Sequence, residues 1–120
     1  MVEKLQQVLN KFRQDAKPVW LFAVLKMDEI TDRWSLIISA PWLNNGDSFN
    51  REYEYVIRVL KEFLTDEELF SLARVSAVSK TDHLVEELLK KQTGTSITEE
   101  KINGNIVHEG SIIESKPNLT

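Results

Sequence analysis

Cysteine is absent from this chain of 120 residues. That excludes disulfides, thiolate nucleophiles and cysteine-built zinc sites, and it fits a reducing, cytoplasmic setting. Histidine is scarce. His83 and His108 stand in neither HxxxH nor HxH spacing, so the sequence points to no metal site and to no cofactor. No glycine-rich turn follows an apolar run, which leaves a dinucleotide-binding fold or a phosphate loop without a motif. A serine elbow is also missing. No apolar run approaches the roughly 20 residues that cross a bilayer. The opening stretch MVEKLQQVLNKF lacks the unbroken apolar core of a signal peptide. Positive charge is in deficit: 15 Lys and Arg stand against 19 Asp and Glu, a net charge of −4. Phosphate binding needs clustered Lys and Arg, so nucleic acid is disfavoured as the main partner, although a local basic patch remains compatible with this balance.

What is present is a globular composition, 42% hydrophobic, in a chain of single-domain length. The stretch Val19 to Leu43 organises it. Val19 to Leu25 is almost continuously apolar, rich in β-branched and aromatic residues, and preceded by Pro18, which predicts a strand covered on both faces. A second run alternates, with Trp34, Leu36, Ile38 and Ala40 on one face and Arg33, Ser35, Ile37 and Ser39 on the other. Asp28, Glu29, Thr31 and Asp32 supply the turn between them, and Pro41 ends the second strand.

The flanking elements follow from periodicity and caps. Residues 2 to 16 read as an amphipathic helix through Val2, Leu5, Val8, Leu9, Phe12 and Ala16. Its stripe packs on the sheet or docks on a partner. Asn44 to Ser48 is loop chemistry, with Asp47, Ser48 or Asn50 as helix cap, and residues 49 to 64 carry a clean helical stripe. Thr65 and Glu68 form a capping box that opens a short helix, about Asp66 to Ser71. Leu72 to Val78 reads as a third strand, with a continued helix as the competing assignment. Thr81 or Asp82 should cap a helix running to about Gln92. Ser96 to Ile102 and Asn105 to Glu114 flank Asn103-Gly104, the strongest hairpin signal in the chain, and Gly110 suggests a bulge. The expected architecture is α+β, in the order α-β-β-α-α-β-α-β-β. It is a single compact domain over residues 1–114, with a mixed sheet of about five strands, helices on at least one face, and a flexible tail over 115–120.

Functional signals are weak. Ser79, Lys80, Thr81, Asp82 and His83 cluster where a strand meets a helix start, a recurrent place for anions and ligands, although capping alone explains these residue types. If the second and third strands run parallel, Trp42 and Asp47 open on the same edge as Ser79, Lys80, Asp82 and His83, which together make a candidate ligand pocket. Glu99-Glu100-Lys101 is similar to the acid-and-lysine element of some nucleases, but no preceding acidic strand residue can be assigned. Two readings result. One is a non-enzymatic module acting through a protein partner or self-association, with the final hairpin as the first edge to consider. The other is a small-ligand or anion-binding protein, or a weak enzyme, using the strand-end loops.

Overall fold

A computed structural model describes residues 2–27, 33–43 and 49–118. The expected acidic turn at Asp28 to Asp32, the loop from Asn44 to Ser48 and the end of the tail lie outside the described residues. The elements are α1 (Val2–Gln14), β1 (Leu21–Lys26), β2 (Trp34–Ser39), a single 3-10 turn (Pro41–Leu43), α2 (Phe49–Phe63), α3 (Asp66–Ser71), β3 (Leu72–Ala77), α4 (His83–Leu89), β4 (Ser96–Ile102) and β5 (Asn105–Ser115). The order matches the sequence expectation, and Leu72 to Ala77 is strand rather than continued helix.

The strands form one mixed sheet in the order β3-β2-β1-β5-β4. The β2–β3 pair is parallel and the other three are antiparallel. β1 lies at the centre, and Leu21 to Leu25 are all buried. Phe22 and Val24 join Leu36, Ile38 and Ile113 beneath Leu5, Leu9 and Phe12 of α1 and Val56 and Leu60 of α2. Leu21, Ala23 and Leu25 join Ile37, Ile97, Val107 and Ile112 beneath Val85, Leu88 and Leu89 of α4. Each buried Leu, Ile or Phe side chain stabilises the fold by about 1.5–3 kcal/mol. A strand apolar on both faces therefore requires a helical layer on each, and the chain supplies α1 and α2 on one side and α4 on the other.

Local chemistry sets the helix ends. In α3, Glu68 N–H donates to Thr65 Oγ1 and Thr65 N–H to Glu68 Oε1, which completes the expected capping box. Asp82 rather than Thr81 caps α4, accepting from Leu84 and Val85 N–H. The α4 helix stops at Leu89, short of Gln92.

The end of α1 departs from expectation. Ala16 lies outside the helix, exposed, with φ 56°, instead of continuing the apolar stripe. Lys17 N–H donates to Phe12 O and Ala16 N–H to Arg13 O, the paired bonds of a Schellman end, whose left-handed position glycine usually fills.

The final hairpin turns through Asn103 (φ 49°) and Gly104 (φ 80°), both positive as a type I′ turn demands. Gly110 is not the bulge. A Cβ there would stand 2.8 Å from Leu25 Cδ2 and 3.2 Å from Val24 O, so glycine permits close packing of β5 on β1. The irregularity falls instead where Phe22 pairs with Glu114 and Ala23 with Ile112, skipping Ile113. It sets Ile113 on the same face as its neighbour Glu114, the α1 side, while Ile112 faces the α4 core. Beside it the buried Glu114 carboxylate pairs with Arg13 of α1 and accepts from Thr93 Oγ1. Ser115 closes β5, and Lys116 N–H donates to Trp20 O.

An alanine in the left-handed region costs about 1–2 kcal/mol. Ala16→Gly should therefore raise the unfolding free energy, by about 0.5–1 kcal/mol after the added flexibility of the unfolded chain is set against it. Urea denaturation reads this directly. A loss of stability would contradict the assigned helix end.

Candidate functional site

Because β2 and β3 are parallel, they finish at one end of the sheet, where Trp20 precedes β1 and Lys116 follows β5. The candidate residues leave that end on different faces. Trp42 turns into the α1–α2 layer. Its ring stands 5.7 Å from Phe12 and 6.0 Å from Tyr55, and its Nε1 donates to Pro18 O at 2.7 Å. Lys17 Nζ lies 5.0 Å from the Trp42 ring and 5.1 Å from the Tyr55 ring while pairing with Glu52. The Tyr55 hydroxyl donates to Asp15. Burial and this carboxylate push the phenol well above its ordinary value, and the same hydrogen bond holds Asp15 below its own.

Ser79, Lys80, Asp82 and His83 lead into α4, on the opposite face. Ser79 Oγ bonds Thr81 Oγ1 at 2.9 Å and accepts from Thr81 N–H. Asp82 is committed to the cap. Lys80 Nζ donates to Pro117 O at 2.7 Å and stands 5.0 Å from the Trp20 ring, so it ties the β3–α4 connection to the end of the chain. His83 is exposed in the first turn of α4. Asp47 lies outside the described residues. The parallel strands thus bring the two loop origins to one end, while the sheet separates Trp42 from the residues at 79–83. Between them Ser39 is fully buried, and its hydroxyl has no hydrogen-bond partner among the described residues. Such a group costs about 1–3 kcal/mol.

Sequence reasoning missed an open groove of about 290 Å³ on the α1 side of the sheet, lined by Val2, Trp34, Ser96, Thr98, Glu109 and Ser111. These residues come from α1, β2 and the final hairpin, and the β2-β1-β5-β4 order brings them together. The groove combines hydroxyls, one carboxylate and an aromatic wall. Among the described residues, no three His, Asp or Glu side chains converge to hold a metal.

The two sheet edges differ sharply. On β4 the exposed run Thr98, Glu99, Glu100 and Lys101 is charged, and Glu99 is kinked into the left-handed region (φ 44°) while it pairs with His108. Charge and irregular backbone both discourage a further strand. β3, LARVSA, carries one charge, Arg74. A register shift near Ala73 interrupts its start, and from Arg74 onward it runs regularly along β2.

Val78 N–H donates inward to Ile38 O, so alternation turns the main-chain groups of Val75 and Ala77 outward. The Tyr53 hydroxyl of α2 reaches the outward Val75 carbonyl at 2.8 Å. At the start of this edge Phe70 is 71% exposed, the most exposed large apolar side chain among the described residues. Arg33 lies 4.7 Å over its ring and donates from Nε to Phe70 O.

No family model, no curated protein and no solved structure matches the chain.

The helix that presents Phe70 is anchored by Glu68, which receives Lys4 from α1. The Lys4 ammonium first, and the Thr65 N–H second, hold its carboxyl at about 2, below the ordinary 4.5. A depressed carboxyl contributes stability that is fully present above the unfolded value and is lost as pH falls toward the folded one. The stability gap between the natural chain and Glu68→Gln should therefore be widest above pH 4.5 and close as pH falls toward 2. Urea titrations across that window measure it. A gap that does not change with pH would contradict the role given to Glu68.

Proposed function

We propose that this chain is a non-enzymatic interaction module that offers the outer edge of β3 to an extended segment of protein. The observation that carries this reading is the contrast between the edges: β4 is charged and kinked, whereas β3 from Arg74 to Ala77 is regular and carries a single charge, with exposed Phe70 beside it. Strand addition draws its affinity from main-chain hydrogen bonds and its selectivity from alternate side chains, so it needs no catalytic constellation. The absence of cysteine supports a cytoplasmic setting, and the net charge of −4 supports a protein partner over nucleic acid. Within this reading the edge at work is β3, not the outer edge of the final hairpin.

A second reading keeps small-ligand or anion binding at the sheet end, through Trp42, Asp47, Ser79, Lys80, Asp82 and His83. The parallel β2–β3 pair favours it by bringing both loop origins to one end. The existing bonds of Lys80 and Asp82 weigh against it, because a ligand would have to displace them.

One titration separates the two. A synthetic peptide carrying residues 72–78, added to isotopically labelled protein, should shift the amide signals of Val75 and Ala77 saturably and leave β4 unchanged. No shift at about 1 mM peptide, the weak end of specific association, would contradict strand addition. Inorganic phosphate in place of peptide should shift the amides of residues 79–83 only under the second reading.

A further inference from the structure

We infer that the extended segment that β3 accepts is β3 of a second copy, paired antiparallel about a two-fold axis at Ser76, so that two five-stranded sheets become one sheet of ten. This rests on the interaction-module reading and names its partner.

The register follows from the strand itself. The outward main-chain groups belong to Val75 and Ala77, and the regular stretch runs from Arg74 to Val78, with Ser76 at its middle. A dyad at Ser76 sets Val75 opposite Ala77 of the second copy. These residues exchange both N–H···O bonds, and symmetry repeats the exchange, so the four outward N–H groups of the two edges all find acceptors. The Val75 carbonyl has a second lone pair and can keep the Tyr53 hydroxyl as well.

Side chains agree with this register. On the α4 face Ser76 meets Ser76, a favourable cross-strand pair, and Arg74 meets Val78. On the other face the larger Val75 meets the smaller Ala77. Registers shifted toward the start of the strand do worse. A dyad at Arg74 sets two guanidinium groups directly opposite, and a dyad at Val75 draws Ala73 into the pairing, where the ladder is interrupted. The same operation at the middle of β4 opposes Glu99 to Glu99 across two kinked backbones. Charge therefore permits self-pairing at β3 and opposes it at β4.

The chain has no cysteine, so an introduced one has no competitor. Directly opposed residues that do not share hydrogen bonds have Cα atoms about 4.5 Å apart, within disulfide range. Under mild oxidation Ser76→Cys should give a covalent dimer. Arg74→Cys alone should not, but Arg74→Cys mixed with Val78→Cys should. Sedimentation of the natural chain should show a concentration-dependent dimer. Ser76→Lys places two ammonium groups at the axis and should weaken that dimer at least about tenfold, with circular dichroism confirming that the variant folds.

A dimer of the natural chain that Ser76→Cys fails to lock covalently, or that survives Ser76→Lys, would overturn the register. A strict monomer at all concentrations would overturn the second copy as partner. In that case saturable binding of the peptide carrying residues 72–78 leaves the interaction-module reading standing, and failure of both removes it.

Discussion

Everything in this fold depends on a central strand that is apolar on both faces. Leu21 to Leu25 bury completely, alternate side chains entering opposite cores. Neither face tolerates water, so the chain must lay helices on both. α1 and α2 complete one layer and the short α4 the other. Four strands flanking β1, two to a side, then satisfy its backbone through β2 and β5 and leave β3 and β4 as the edges. The open edge is thus a consequence of how the centre is covered. β3 reaches its place only because α2 and α3 carry the chain across the sheet, which makes the β2–β3 pair parallel.

Polar contacts fasten this arrangement at its margins. Glu114 joins α1 to β5 at the bulge, Lys4 joins α1 to α3, and Lys80 joins the β3–α4 connection to Pro117. Each links elements distant in sequence. The candidate ligand residues are drawn into the same task, since Trp42 fastens the Pro41–Leu43 turn to Pro18 and Asp82 starts α4. Their chemistry is used within the fold, while the exposed Phe70 and the outward groups of Val75 and Ala77 face away from it.

Features set by neighbouring residues were legible in the sequence. The capping box of Thr65 and Glu68, the Asn103-Gly104 turn and the two-faced apolar run of β1 each follow from residue types at fixed short spacing, and the element order follows from them. The left-handed Ala16 was not legible, because alanine is an unusual choice there and the Schellman bonds depend on where α1 docks. Nor was the bulge at Ile113. It responds to the pairing of β5 with β1, and the nearby Gly110 suggested a different position. Of the site, the meeting of two loop origins was foreseen conditionally on a parallel pair. The separation of Trp42 from Lys80 was not, since which face each loop takes depends on where α2 and α4 pack. The position of β3 at an edge needed the strand order itself, which no local spacing encodes.

β3 presents its outward main-chain groups at an edge that no strand among the described residues covers. Amide hydrogen exchange on dilute protein tests it most directly. Val75 and Ala77 should exchange quickly while Val78, bonded to Ile38, is protected, and the amides of β1 should be among the slowest in the molecule. Protection of Val75 and Ala77 equal to that of Val78 at the lowest concentration would mean that the edge is already closed within the monomer, and would contradict the account.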